Sequence, residues 1–271
     1  MKRKKLWITL ISIVGAFLVI VVSLGLLTKL SVVSVEFRSR VTDGTKLESG
    51  ILDKVKESGE FNYSKSVLFM DVNKNAEKIE KSNPYVKVEQ IIRKFPNRVN
   101  VYISERIPKY RVKETESGIK WYILDEDFKV LQTTTDLEGD HFLDTTVEIS
   151  YFVCNAEIGD FVDRPADKTN LNSILSGVYG KTRDYFAARV IDYDSETSTF
   201  SITMKSSGSV NYQDGCVIKI IGSKNLRIKA FEATSVYIDE FGQLEDKGVD
   251  LTKKVIIVSD DDDYGRIIDQ E

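Results

Sequence analysis

The sequence predicts an α+β fold: an amino-terminal transmembrane helix, a small β-α-α-β-β module, and a larger, mostly antiparallel β domain carrying two helices. Three observations lead there. Leu6 to Thr28 contains no charged residue. Between Val32 and Ile103 the apolar spacing changes from strand to helix and back. Beyond Pro108 short β-branched runs recur between Asp, Ser and Gly turns.

The charge-free run is apolar on every helical face from Leu6 to Leu27. A helix rising about 1.5 Å per residue needs roughly 20 residues to cross a hydrocarbon core of about 30 Å, and this run suffices. A cleaved signal peptide also pairs basic residues with an apolar run, and Ser23-Leu24-Gly25 resembles a small-x-small cleavage site. Signal cores span only roughly 7 to 15 residues, so length favours an uncleaved anchor over residues 6–28.

Charge sets the orientation. Residues 1–29 hold five bases and no acid, leaving 33 bases against 42 acids, a net −9, for the rest of the chain. Lys2, Arg3, Lys4 and Lys5 resist translocation, so residues 1–5 form a short cytoplasmic segment, Trp7 sits at the inner interface, and everything after Lys29 lies outside the membrane. A whole-chain charge of −4 argues against nucleic acid as a ligand.

The module spans residues 30–107. Val32-Val-Ser-Val-Glu-Phe37 is a β-branched run broken by Asp43-Gly44. A helix beginning near Thr45 carries Ile51, Leu52 and Val55 and ends at Ser58-Gly59. Asp71 caps a second helix, in which Val72, Ala76 and Ile79 share a face, and Asn83-Pro84 stops it. Strands Val86–Ile92 and Val99–Ile103 flank Lys94-Phe-Pro-Asn97, a hairpin turn by composition. Glu105-Arg106 places a charge pair where the chain leaves the sheet, and Pro108 closes the module.

The residues Val33-Ser-Val-Glu36, Leu68-Phe69, Asn83-Pro-Tyr-Val86, Arg93-Lys-Phe-Pro96, Val99-Asn-Val101 and Glu105-Arg-Ile-Pro108 resemble, in order and spacing, the POTRA module of the FtsQ/DivIB family of bacterial division proteins. The pattern residues Pro84, Arg93, Pro96, Glu105, Arg106 and Pro108 carry the resemblance as structural positions. One departure is Phe37-Arg-Ser-Arg40, which stands where the family has a glycine after its first strand.

From residue 108 to 258 the pattern is mostly β. Strands are expected at Tyr110–Lys113, Lys120–Leu124, Lys129–Thr133, Val147–Val153, Arg189–Tyr193, Thr199–Met204 and Val217–Ile221, with helices at Asp167–Tyr179 and Asn225–Val236. The resemblance continues through Leu124-Asp125, Val130-Leu131, Gly215–Gly222, Leu226–Lys229 and Gly248–Leu251, while residues 133–212 match only in element order. Lys109 stands where relatives often have alanine. Residues 259–271, rich in Asp, read as a disordered acidic tail.

Reaction machinery is not recognisable. Gly180-Lys-Thr182 lacks the earlier glycine of a phosphate loop, where Leu175 stands, and no G-x-S-x-G occurs. His141 lies in an acidic loop without a neighbouring nucleophile, and the carboxylate pairs Asp125/Asp127 and Asp192/Asp194 fit turn chemistry. One histidine and the distant Cys154 and Cys216 do not build a zinc site, and the Asp run in the tail lacks the spacing of a calcium loop. The cysteines are read as buried free thiols, with pairing in an oxidising space as the alternative. No catalytic, cofactor or metal residue is expected.

Such a chain works by binding. The resemblance implies a non-catalytic divisome scaffold at the bacterial cell membrane and division septum, with partners of the FtsB/DivIC and FtsL type and the septal peptidoglycan synthase complex. It implies a docking strand at Thr252, Lys253, Lys254, Val255, Ile256, Ile257 and Val258, with Thr252 replacing an arginine of some relatives. From the residues alone, Val255–Val258 is either an exposed edge or an internal core strand. The alternatives to the scaffold are a membrane-tethered cell-wall enzyme and a generic extracytoplasmic assembly module.

Overall fold

The computed structural model describes residues 2–39, 46–205, 216–241, 254–259 and 265–269, with side chains from Ser12 onward and excluding those of Glu240, Phe241 and Asp269. The chain divides into two compact units, residues 1–106 and 107–271.

The first unit opens with helix α1, Lys2–Leu27. Over Ser12 to Leu27, the part of α1 whose side chains are described, and elsewhere among the described residues, no helix is long and apolar enough to cross a membrane. From Ile13 to Leu27 the large apolar side chains stand exposed on all sides of α1. Strand β1 (Val32–Ser39) follows, then α2 (Ile51–Ser58), α3 (Val72–Ser82), β2 (Val86–Lys94) and β3 (Arg98–Glu105). The sheet order is β1-β3-β2, β1 parallel to β3 and β2 antiparallel to it. Val33, Val35, Val55, Ile79, Val99 and Val101 meet in its core.

Local chemistry sets the boundaries. Helix α2 starts at Ile51, later than Thr45, because its apolar spacing begins there; Gly50 enters it at φ 80°, in the left-handed region that favours glycine. Asp71 caps α3 by accepting from the Lys74 amide at 3.1 Å. Asn83 closes α3 from both sides: its amide group donates to Ile79 O and to Ser58 Oγ of α2, each at 2.8 Å.

The second unit is one nine-stranded sheet in the order β12-β11-β10-β9-β8-β7-β4-β5-β6. Its strands are β4 (Tyr110–Lys113), β5 (Trp121–Leu124), β6 (Val130–Thr134), β7 (Val147–Ile149), β8 (Ala188–Asp194), β9 (Thr199–Met204), β10 (Val217–Ile221), β11 (Lys254–Val258) and β12 (Arg266–Asp269). Most pairs are antiparallel, but β4–β7, β7–β8 and β10–β11 are parallel. Helices α5 (Pro165–Thr182) and α6 (Leu226–Val236) pack with one face of the sheet, sharing a core of Leu171, Ile174, Val178, Ile202, Ile218 and Ala230. The helices approach closely at Gly177: a Cβ there would meet the Arg227 carbonyl and come within 2.7 Å of Ala230 Cβ.

A short helix, α4 (Phe142–Thr145), anchors the two buried arginines of the sheet. Arg111 donates to Thr146 O at 2.6 Å and Leu143 O at 3.2 Å and pairs with Glu148 at 3.3 Å; Arg189 also donates to Leu143 O, at 3.3 Å. Burial lowers the Arg111 pKa, with Glu148 opposing.

The expected disordered tail is corrected where it is described. Arg266–Asp269 is a strand, in which the adjacent Ile267 and Ile268 stand opposite Ile256 and Val255 of β11. Gly265 lets the chain turn in close: a Cβ there would lie 3.2 Å from both Val236 and Val258. Residues 260–264 lie outside the described set.

A candidate docking edge at the end of the large sheet

The residues expected to form an exposed edge occupy an inner strand. Of the seven, Thr252 and Lys253 lie outside the described residues. The other five form β11, which pairs with β10 in parallel (Val255 with Val217, Ile256 with Ile218, Val258 with Ile220) and with β12 in antiparallel (Val255 with Ile268, Ile256 with Ile267, Ile257 with Arg266). Val255, Ile256 and Val258 are buried, and Ile256 and Val258 join the core under α6. A run of four β-branched residues reads as either edge or core strand, and here it is core because a neighbour pairs on each side.

The terminal position belongs to β12. Among the described residues no strand lies beyond it, and the outer side of a terminal strand is where an added strand would pair. Ile268 is 44% exposed. At the opposite end of the sheet the start of β6 is occupied: the Val130 amide donates to Asp160 O at 2.9 Å, and the Gly159 amide donates back to Val130 O at 2.8 Å. Sequence reasoning missed β12 because five neighbouring residues, Asp260 to Tyr264, dominate the composition of the tail.

The pattern residues of the first unit have structural partners. Arg106 is buried, with Nη2 3.0 Å from Glu80 Oε2 and Nε donating to Val86 O at 3.3 Å. Glu80 Oε1 also accepts from the Val88 amide at 2.7 Å, so one carboxylate joins α3, β2 and the end of β3. Glu105 accepts from the Lys46 amide at 2.8 Å. The Arg93 guanidinium donates to Met70 O at 2.6 Å, and the Phe95-Pro96 peptide is cis. Pro84 follows the end of α3, and Pro108 lies between β3 and β4.

The groups considered for chemistry are placed in turns and core. Asp125 accepts from the amides of Asp127 and Lys129, both at 2.9 Å. Asp194 accepts from Thr197 Oγ1 at 2.7 Å and from the Glu196 amide, and these bonds lower its pKa. Asp192 accepts from Ser150 Oγ at 2.9 Å. His141 is exposed at φ 60°, just before α4. Cys154 and Cys216 are free and buried; burial raises both thiols, Cys216 to about 12.

Gly180-Lys-Thr182 forms the last turn of α5. A groove of about 830 Å³ between α5 and α6 is lined by hydroxyls of Thr169, Ser173, Ser176 and Ser223 with Asn225 and Arg227, and no carboxylate, histidine or cysteine lines it. Its serines thus have no base beside them for nucleophilic chemistry. Among the described residues no cluster of His, Cys, Asp and Glu could hold a metal ion.

Two comparisons bear on this arrangement. A family model described as the FtsQ-type POTRA domain matches residues 52–106. A "Cell division protein DivIB" of Clostridium tetani is 26% identical over 87 residues, covering 32% of this chain and 31% of that protein. The match thus spans about a third of the relative's length.

Proposed function

We propose that this chain, whose FtsQ-type POTRA domain and similarity to a DivIB protein support membership of the FtsQ/DivIB family, is a membrane-anchored, non-catalytic scaffold of bacterial cell division. The observation that carries the reading is the pairing of a recognition module with a sheet that ends in an open strand. A sheet edge binds an extended peptide through its unused backbone groups and chooses among peptides through alternate side chains.

The anchor is α1. Its helical backbone runs from Lys2 to Leu27, and residues 6–28 carry no charge. Twenty-six residues at about 1.5 Å each exceed a core of about 30 Å. The basic start keeps the amino terminus cytoplasmic and leaves the two units outside, as a single-pass type II protein.

A partner of the FtsB/DivIC type, acting with one of the FtsL type, adds a strand to β12, with β11 as the rigid strand behind it. The septal peptidoglycan synthase complex then gathers around that assembly. The test is photocrosslinking of the full chain in dividing cells. A crosslinker at Ile268 captures a membrane division partner, whereas one at Ile119, exposed in the same unit, does not. Equal capture at both positions would remove the docking site from β12.

A further inference from the structure

We infer that the α1-proximal end of the first unit is itself a lipid-binding collar, seated on an anionic membrane surface beside the helix. The inference rests on the reading of α1 as the membrane anchor.

The loop between α2 and α3 is bonded to the residues where α1 ends. Thr28, fully buried, accepts at its carbonyl from the Val67 amide at 2.8 Å, and its hydroxyl lies 2.6 Å from Ser66 Oγ. The Leu30 amide donates to Lys65 O at 3.1 Å. The β2–β3 hairpin is held at the same place: the Ser31 amide donates to Asn97 O at 2.8 Å, and Arg93 joins the hairpin to the loop through Met70 O. The loop and the hairpin tip are therefore fixed within a few residues of the last apolar turn of the helix.

Phe61 and Val67 of the loop are buried, but four large apolar residues of these two segments are exposed. Phe69 is 84% exposed, Phe95 68%, and Tyr63 and Leu68 51% each. Large rings left in water on adjoining segments mark an interaction surface. The amphipathic ring of Tyr63 suits the headgroup layer, and Phe and Leu side chains suit the acyl boundary just beneath it.

Charge favours the same occupant. Residues 28–32, 61–71 and 93–98 carry five bases, Lys29, Lys65, Arg93, Lys94 and Arg98, against one acid, Asp71. All five bases are exposed, and Asp71 is engaged as the cap of α3. Exposed bases next to a bilayer are attracted to anionic headgroups. The collar thus matches the headgroup layer in position, apolarity and charge, and it fixes the module against the membrane.

The test uses the full chain in nanodiscs of phosphatidylcholine and phosphatidylglycerol with shallow bromine labels on the acyl chains. Single tryptophans are placed in a Trp7→Phe, Trp121→Phe background. Phe17→Trp reports the anchor, Phe69→Trp and Phe95→Trp report the collar, and Ser39→Trp reports the far end of β1, roughly 20 Å away at about 3.3 Å per residue. Emission at positions 17, 69 and 95 is expected to fall by about half relative to unbrominated discs, with position 39 unchanged. Quenching at 17 without quenching at 69 and 95 would overturn the collar while leaving the anchor intact. No quenching at 17 would overturn the anchor, and equal quenching at 39 and 69 would overturn the collar. Removing phosphatidylglycerol is expected to weaken quenching at 69, and an unchanged signal would overturn the anionic preference.

Discussion

Ile256 of β11 stands opposite Ile267 of β12 across the outermost antiparallel pair of the large sheet. Ile256 is fully buried, so it belongs to the core behind the proposed docking strand β12.

Substitution at Ile256 should accordingly act on stability. Ile256→Asp puts an unpaired charge among Ile218, Ile220 and Ala230, and the expected cost is about 3–5 kcal/mol. Ile268→Asp, on a half-exposed side chain of β12, should cost under about 1 kcal/mol yet reduce partner capture. Urea unfolding of both variants, followed by crosslinking of the stable one, separates the two effects.

The crossing of α5 and α6 leaves no room for a methyl group at Gly177. Gly177→Ala pushes against the Arg227 carbonyl and Ala230, and overpacking of this kind costs about 1–3 kcal/mol. Gly180→Ala meets only the ring of Phe231, which can turn aside, so it should cost less. Thermal melts of the two variants should rank in that order.

In the first unit, Glu80→Gln removes the carboxylate that lies 3.0 Å from the buried Arg106 guanidinium. Removing one partner of a buried pair costs about 3–5 kcal/mol, and the Arg106 side chain is 3% exposed. The loss should appear as a lower urea midpoint, and it should change little with added salt, because a buried pair is screened less than a surface one.

Alkaline pH tests the buried acids. Burial raises Cys216 to about 12, and it also raises the phenols of Tyr110 and Tyr151. The folded state keeps these protons where the unfolded state releases them. The unfolded chain therefore binds fewer protons above roughly pH 9, and stability falls as pH rises from there toward 12. Cys216→Ala should make that fall shallower, measured by chemical denaturation between neutral and alkaline buffer. The native thiol should react with a disulfide reagent only at the rate of unfolding.

Where the sequence and the fold agree, the signal is local. Asp71 caps α3 because a short acceptor stood before an apolar helical period, and β4, β9 and β10 follow their β-branched runs residue for residue. The elements that escaped depend on distant neighbours. The strands of Arg111 and Arg189 were expected, but that the carbonyl of Leu143 in α4 receives both guanidinium groups depends on a distant segment. Val255–Val258 was legible as a strand, but only its pairing with β12 decides that it is internal. The seven-residue reach from β11 to β12 hides that pairing behind a run of aspartates. The segments that carry Phe69 and Phe95 were the least legible, since they lie 26 positions apart and are joined by the hydrogen bonds of Thr28, Leu30 and Ser31 and by that of Arg93 to Met70.

The most direct test of the account is the position of the full chain in living, dividing bacteria, observed through a fluorescent protein fused at its amino terminus. A band at mid-cell that precedes constriction is the predicted result. Uniform signal around the cell envelope through the division cycle would contradict the scaffold reading.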